Sequence, residues 1–315
     1  MPNFNLSPQF LNTGALLLAI LVLASVVGGV LHARSGGRSE TVHNLNARIR
    51  AWWVMVAVLF VALALGRVAT VVVFAFSSFM ALREFLTLTP TKPSDYWALF
   101  LAFFVALPIQ YVLLGVQWYG LFAVFIPVYM FGLISSASAL AQDTEDFLSR
   151  NARIVFALMA CVYGVSHAPA LLMLDTPGFE GRAVELLFFF TFTVQISDVL
   201  QYVFGKLFGR RKLAPRLSPS KTWEGLIGGA LATVALGAAL HGVTPFGPAL
   251  AALLAAQIVA CGVLGGLVMS AVKRSLGAKD WGSAISGHGG YMDRLDSITF
   301  AAPVFFHVVR YWWTA

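Results

Sequence analysis

The chain has 315 residues, of which 59% are hydrophobic and only 11% are charged, and its mean hydropathy is +0.80. Soluble domains carry about 25% charged residues, so this composition excludes a soluble globular protein and predicts a bundle of membrane-spanning helices. The formal net charge of +7 indicates cytoplasmic loops that face anionic lipid and substrate phosphates, not a nucleic-acid partner.

The first apolar runs predict three membrane helices with the N-terminus outside. Leu11–Leu31 lacks the basic start and short apolar core of a signal peptide, so we expect it to be retained as a helix. Segment 32–50 carries four arginines against Glu40 alone, which predicts a cytoplasmic loop. The next run, Trp52–Met80, is too long for one comfortable span and is broken near Gly66, which predicts a hairpin of two short helices.

The rest of the chain completes an all-α polytopic membrane protein of about ten helices, with both termini outside. A cytoplasmic connector containing Arg83, Glu84, Lys92 and Asp95 follows the hairpin. The remaining predicted spans are Trp97–Leu114, Trp118–Leu133, Ile154–Leu174, Leu186–Phe204, Leu226–Leu240, Pro248–Val272 and Ile298–Trp313.

Two charged segments, 198–224 and 270–296, interrupt the C-terminal apolar runs. Charges are costly beside a bilayer and tend to mark function there. The basic run from Lys206 to Lys221 is a strong cytoplasmic marker, and the alternation of spans predicts the same side for both segments. We therefore expect them to form two walls of one cytoplasmic site that handles phosphate. Residues 184–315 would form this catalytic region, joined in one unit to the helices of 1–183.

In the first segment, Asp198 lies within a predicted helix, about one turn from its cytoplasmic end. A carboxylate there needs a cation, a metal or a water-filled cavity, although a polar packing contact is the simpler alternative. Pro219 stiffens the loop that follows, and Ser220 is the expected N-cap of the next helix. Such a helix N-terminus attracts phosphate and Lys221 adds a full charge, although ordinary capping would use the same residues.

In the second segment, Lys273 and Arg274 end a helix at the membrane surface. Gly289 and Gly290 follow His288, so the backbone can approach a ligand closely there. The histidine itself is either a ligand or acid, or a structural residue.

Two carboxylates follow in the same segment. Asp293 and Asp296 are three residues apart, so in a helix they share a face, with Arg294 turned away. Two carboxylates on one face can hold Mg²⁺, which keeps several waters and also binds substrate phosphate.

Together these residues resemble the phosphatidate cytidylyltransferases, also called CDP-diacylglycerol synthases. The family signature is matched by Ser270, Lys273-Arg274, Lys279-Asp280, His288-Gly289-Gly290, Asp293-Arg294 and Asp296. An upstream block is matched by Asp198, Tyr202, Gly205-Lys206, Gly209-Arg210, Pro215, Ser218-Pro219, Lys221-Thr222 and Glu224-Gly225. The match runs from Ser197 to the C-terminus, whereas the N-terminal half matches only as a hydropathy profile.

The resemblance implies that CTP and phosphatidate react to CDP-diacylglycerol and diphosphate. We expect the protein in the bacterial inner membrane, because nothing in the sequence resembles an organelle transit peptide. It implies Mg²⁺ as cofactor, held by Asp293 and Asp296, and leaves a second cation and a homodimer open. Catalytic roles would fall to Asp293, Asp280, Asp198, Lys221 and Arg294. Substrate contacts would come from Ser218, Thr222, Glu224, Lys273, Arg274, Lys279, His288, Gly289 and Gly290.

The chain departs from the family pattern at three positions. Gly266 replaces an aspartate that the family uses at its metal site, Met269 replaces a glutamate, and Tyr291 stands where an aliphatic residue is usual. A catalytically impaired or altered-substrate homologue that binds lipid or nucleotide is therefore an alternative. A transporter in which Asp198 is the coupling residue is a third.

Overall fold

The computed structural model describes residues 7–34, 39–284 and 289–314, and ten long helical segments follow one another in that part of the chain. Eight of them are long and apolar enough to cross a membrane; α8 is shorter, and α10 is long enough but less apolar. The prediction of an all-α polytopic membrane protein is confirmed. The helices are α1 (Pro8–Arg34), α2 (Glu40–Leu65), α3 (Arg67–Leu88), α4 (Pro93–Gly115), α5 (Tyr119–Leu140), α6 (Phe147–Met173), α7 (Ala183–Phe208), α8 (Trp223–Ala239), α9 (Pro248–Ser275) and α10 (Met292–Trp313).

The predicted break at Gly66 is confirmed, but the two helices that it separates are not short. Gly66 has a φ of +97°, and its N–H bonds to the carbonyl oxygens of Ala62 and Leu63, both at 3.1 Å, so α2 ends there. α2 begins at Glu40, within the segment expected to be a loop, and is capped by Ser39. α3 runs on to Leu88, so part of the predicted connector is helical. Polar residues beyond the apolar run continue both helices.

The centre of the bundle is formed by α6, which packs against α3 and α10. In the most apolar stretch of α6, 78% of the residues are buried inside the protein, which is the largest share among the eight candidate membrane spans of the described chain. Gly164 of α6 lies directly against α10: a Cβ atom added there would be 2.5 Å from the carbonyl oxygen of Thr299. A larger residue at this position would push the two helices apart.

A polar network joins the starts of α4 and α6 through the loop before α6. The Asp143 carboxylate accepts hydrogen bonds from the Ser94 hydroxyl at 2.6 Å and from the Arg150 guanidinium at 2.5 Å. Arg150 also pairs with Asp95 at 3.4 Å. The Ser94 hydrogen bond first, and the Arg150 hydrogen bond next, hold the pKa of Asp143 well below its usual range.

The C-terminal helices α7 to α10 carry the two charged segments. Between α7 and α8 the chain forms an antiparallel pair of short strands, β1 (Lys212–Ala214) and β2 (Ser218–Thr222), which the all-α interpretation did not include. The expected N-cap at Ser220 is wrong, because Ser220 lies inside β2. Thr222 caps α8 instead, and its hydroxyl oxygen accepts a hydrogen bond from the N–H of Gly225 at 3.1 Å.

α7 is longer than expected, and this changes the depth of Asp198. The helix continues to Phe208 and ends where the N–H of Gly209 bonds to the carbonyl oxygen of Gly205 at 3.1 Å. Asp198 was expected about one turn from the helix end. It lies instead about 15 Å from that end, at 1.5 Å of rise per residue.

Candidate functional site

The two charged segments meet, as the sequence predicts. The Arg274 guanidinium donates a hydrogen bond to the carbonyl oxygen of Leu217 at 3.2 Å, which joins the end of α9 to the loop before β2. Deeper in the bundle, the Ser297 hydroxyl of α10 donates to the Asp198 carboxylate of α7 at 3.0 Å. Residues far apart in the chain therefore line one polar region between α7, β2, α9 and α10.

The centre of this region holds two carboxylates and one ammonium group, from Asp198, Asp296 and Lys221; we call these three residues the acidic centre. The hydroxyl oxygen of Ser297 lies 3.0 Å from Asp198 Oδ2 and 3.5 Å from Asp296 Oδ1, so it bridges the two carboxylates. The two carboxylates interact electrostatically with each other, and each of them also interacts with Lys221. Such a cluster attracts a cation and, through the lysine, a phosphate.

Gly266 of α9 faces the acidic centre directly. A Cβ atom added at Gly266 would lie 3.0 Å from the Nζ of Lys221, 3.8 Å from the Oγ of Ser297 and 4.0 Å from the Oδ2 of Asp296. An aspartate here, as the resemblance implies for the family, would bring a third carboxylate into the cluster. Met269, the other departure on α9, is completely buried in the hydrophobic core.

Asp293 bonds to its own set of partners, one of which, Lys273, also interacts electrostatically with Asp296. Its Oδ1 accepts a hydrogen bond from the Lys273 ammonium at 2.6 Å, and both side chains are almost buried, 6% and 11% exposed. Its Oδ2 accepts from the backbone N–H groups of Trp281 and Gly290, both at 2.9 Å. Asp293 thus joins the end of α9, the following loop and the start of α10.

The geometry separates the two predicted metal ligands. Asp293 bonds to Lys273 and to the loop between α9 and α10, whereas Asp296 is part of the acidic centre. Arg294 was expected to turn away from this pair, but it interacts electrostatically with both Asp198 and Asp296. The first turn of α10 therefore presents charged groups to two different surroundings.

The donor set of the acidic centre fits a hard cation. Mg²⁺ takes oxygen ligands and retains several waters, so one or two carboxylates together with substrate phosphates can hold it. Asp198, Asp296 and the Ser297 hydroxyl provide such oxygens. No group of three or more His, Cys, Asp or Glu side chains within the described ranges is arranged to hold a metal ion. This donor set therefore suits an open site completed by water or substrate, not a closed protein cage.

Several predicted substrate-binding residues have structural partners. The Thr222 hydroxyl caps α8, and the Glu224 carboxylate accepts hydrogen bonds from the N–H groups of Arg210 at 2.9 Å and Arg211 at 3.1 Å. Ser218 is the first residue of β2. The Glu224 contacts close the turn after α7, which brings the basic residues of the first segment together.

The remaining predicted residues lie in the loop between α9 and α10. Lys279 and Asp280 are exposed, and neither forms an ion pair with another described residue, so the structure does not bring them into the acidic centre. Gly289 has a φ of +81°, a conformation that favours glycine. His288 lies outside the described residues.

An apolar cavity of about 580 Å³ lies beside the acidic centre, between α2, α3, α7 and α10. It extends along α2 from Ala47 to Phe60, which is about 20 Å at 1.5 Å per residue. The charged side chains that line it, among the described residues, are Arg50 and Arg294. The Nε atom of Arg294 is buried and has no hydrogen-bond partner. Arg294 thus contacts the cavity and also interacts with the acidic centre.

Sequence reasoning missed two residues of the N-terminal half. Arg50 was interpreted only as a marker of the cytoplasmic side, but it lines the cavity. Glu84 was assigned to a cytoplasmic connector between helices, but it is a buried residue of α3. The available signal for Glu84 was its spacing of three residues from the buried Ala81, which places both on one helix face.

This fold and site define a multi-pass helical membrane protein with a polar centre among its C-terminal helices. The chain belongs to the Cytidylyltransferase family, whose family model matches residues 46–312. It is 37% identical over 305 residues to the Uncharacterized protein YnbB of Escherichia coli (strain K12), covering 94% of this chain and 97% of YnbB.

Relatives named as enzymes align over shorter stretches. Phosphatidate cytidylyltransferase of Mycobacterium leprae is 40% identical over 173 residues, which cover 54% of this chain and 53% of that enzyme. The enzyme of the same name from Aquifex aeolicus is 36% identical over 142 residues, covering 45% of this chain and 53% of that enzyme. The chain therefore aligns with about half the length of each of these two enzymes.

Proposed function

We propose that this protein is a phosphatidate cytidylyltransferase that converts CTP and phosphatidate to CDP-diacylglycerol and diphosphate at the cytoplasmic face of a bacterial inner membrane. The observation that supports it best is the position of Arg294 between the acidic centre and the apolar cavity. The reaction must bring a polar nucleotide and a lipid phosphate together, so a charged site directly beside an apolar cavity is the arrangement it requires.

The reaction is a displacement at phosphorus. An oxygen of the lipid phosphate attacks the α-phosphorus of CTP, and a new P–O bond forms. The bond from the α-phosphorus to the oxygen that bridges to the β-phosphorus breaks, and diphosphate leaves with that oxygen. Catalysis of this kind depends on alignment and on neutralising negative charge, which Lys221 and Arg294 would provide from two sides.

We assign the magnesium site to Asp198 and Asp296, because their oxygens converge while Asp293 already has three partners. When bound, Mg²⁺ supplies charge neutralisation at the triphosphate and at the leaving diphosphate. For Asp293 we propose a positioning role: it holds Lys273 and the start of α10 in place. A metal-ligand role for Asp293 would require it to give up contacts to Lys273, Trp281 or Gly290.

The acyl chains of phosphatidate would occupy the cavity between α2, α3, α7 and α10, with the phosphate at the end lined by Arg50 and Arg294. An unpaired buried donor such as the Nε of Arg294 costs about 1–3 kcal/mol, and a bound phosphate oxygen would satisfy it. Arg is suited to this role because its planar guanidinium can donate two parallel hydrogen bonds to a phosphate.

The test is incorporation of labelled CTP into lipid by the full chain purified in detergent. We expect Mg²⁺-dependent labelling of phosphatidate and none when diacylglycerol, which lacks the phosphate, replaces it. The Asp198→Asn/Asp296→Asn variant should lose activity by at least about 100-fold, because the cation site then lacks both charges. A folded wild-type protein that labels no lipid under these conditions would exclude the proposed activity.

One observation favours a second candidate. Because Gly266 leaves the acidic centre with two carboxylates, the protein would be an impaired homologue that binds CTP or phosphatidate without turnover. This candidate predicts CTP binding by the purified protein in the absence of product. It also predicts that Gly266→Asp restores turnover.

A further inference from the structure

Glu84, a residue of α3 in the N-terminal half of the chain, bonds directly to the start of α10. It is 9% exposed, and its carboxylate accepts hydrogen bonds from the N–H groups of Tyr291 and Met292, both at 3.0 Å. No lysine, arginine or histidine of the described chain forms an ion pair with it. Its charge is therefore stabilised by backbone donors at a helix N-terminus, where N–H groups lack partners within the helix.

The surrounding backbone closely fits this carboxylate. A Cβ atom added at Gly290 would collide with Glu84 Oε2, and one added at Gly282 would lie 2.9 Å from Oε1. The next residue of α3, Phe85, stacks on Trp281 with ring centroids 4.8 Å apart and an interplanar angle of 18°. Consecutive residues of α3 thus contact both described ends of the loop between α9 and α10.

The same two ends of the loop are joined by Asp293. Its carboxylate accepts from the N–H groups of Trp281 and Gly290 and pairs with Lys273. The Glu84 carboxylate lies close to Gly282 and Gly290 of this loop. It also accepts hydrogen bonds from Tyr291 and Met292, the two residues that immediately precede Asp293. A shift of Glu84 would move the first turn of α10, which carries Asp293 and Arg294 and leads directly to Asp296.

We propose that Glu84 is a positioning residue, which fixes the N-terminus of α10 and thereby the geometry of the phosphate site. The catalytic consequence of this inference rests on the proposed function, but the structural consequence does not. A carboxylate is required because each of its oxygens accepts from one N–H group. Glutamine would keep one acceptor and present its own NH₂ group to the other donor.

The test uses the full chain in detergent and compares Glu84→Gln and Glu84→Ala with the wild type. Arg83→Gln is the matched control, because Arg83 is the preceding residue on the exposed side of α3. Hydrogen exchange is followed by mass spectrometry at the amides of residues 291 and 292. We expect exchange about 10-fold faster in Glu84→Gln and about 100-fold faster in Glu84→Ala, which is the range for losing one or two charge-assisted hydrogen bonds. Arg83→Gln should exchange like the wild type.

Kinetics separate positioning from a general loss of stability. Per folded molecule, kcat for CTP incorporation should fall by about 10-fold in Glu84→Gln, while KM for phosphatidate stays within about threefold of the wild-type value. A merely structural role would lower the amount of folded protein and leave kcat per folded molecule unchanged. Wild-type exchange rates at 291 and 292 in Glu84→Gln, or an unchanged kcat, would overturn the proposal.

A double variant tests the direct contact. Gly290→Ala should speed exchange at 291 and 292, because its methyl group displaces the Glu84 carboxylate. In the Glu84→Ala background the same change should have little further effect, since the space is free. Additive effects would contradict the contact. If the wild type turns over no CTP, the proposed function fails, while the exchange measurements still decide the positioning role.

Discussion

Replacing Gly266 with aspartate adds a third carboxylate to the acidic centre. The new Cβ would lie 3.0 Å from the Nζ of Lys221 and 4.0 Å from Oδ2 of Asp296. At an effective dielectric constant of about 20, two unit charges about 4 Å apart interact by about 4 kcal/mol. Attraction to Lys221 and Arg294 therefore opposes repulsion from Asp198 and Asp296, and the two contributions have opposite signs. Without Mg²⁺, we expect the free energy of unfolding to stay within about 1 kcal/mol of the wild-type value.

The effect should appear when Mg²⁺ is titrated. A third carboxylate raises the negative charge around the proposed cation site, and cation affinity rises with the charge of the ligand set. We expect the Mg²⁺ concentration for half-maximal CTP incorporation to fall by about tenfold, equivalent to about 1.4 kcal/mol. Initial rates of lipid labelling in detergent measure this value.

Gly266→Asn is the matched control, because asparagine has nearly the shape of aspartate without its charge. If Asn lowers the Mg²⁺ requirement as much as Asp does, the effect is steric and the electrostatic reasoning is refuted. An unchanged Mg²⁺ dependence in Gly266→Asp would show that position 266 does not serve the cation site. An inactive wild type together with an active Gly266→Asp variant would establish the impaired homologue.

Three further predictions test other parts of the structure. Asp293→Asn should lower the free energy of unfolding by about 3–5 kcal/mol, because it leaves the buried Lys273 without its ion-pair partner. Lys273→Met should lower it by less, since two backbone N–H groups still bond to the Asp293 carboxylate. Thermal unfolding in detergent compares the two variants. Arg50→Gln should raise KM for phosphatidate about tenfold without changing KM for CTP, whereas Arg48→Gln, outside the cavity lining, should change neither. Asp143→Asn should lower the melting temperature above about pH 4. That difference should shrink as pH falls through the depressed pKa of Asp143, because the stabilisation is complete above the unfolded pKa of 3.8 and is lost below the folded one.

The sequence predicts the membrane helices well because each apolar run must be about 20 residues long to cross a bilayer. It predicts their ends poorly, since polar residues can continue a helix beyond the apolar run. α2 begins at Glu40 and α7 ends at Phe208, each several residues outside the predicted span. The second error changes the chemistry, because it places Asp198 deeper than expected.

The site was predictable where its residues lie in spaced motifs, and not where its partners come from elsewhere. The convergence of the two charged segments followed from their charge and from the alternation of spans. The three partners of Asp293 did not, because two of them are backbone N–H groups, which carry no signal in the sequence. The contact from Glu84 to Met292 spans 208 residues and joins α3 to α10, so no local pattern indicates it.

Asp293 and Asp296 have different partners, and this difference determines which part of the site the glycine at position 266 affects. Asp293 belongs to the framework, because its oxygens bond to Lys273 and to the loop. Asp296 belongs to the acidic centre, which the position of Gly266 faces. On the proposed function, the lack of a carboxylate at position 266 would remove negative charge from the cation site and leave the framework around Asp293 intact. The Mg²⁺ requirement would then be the property that Gly266 alters.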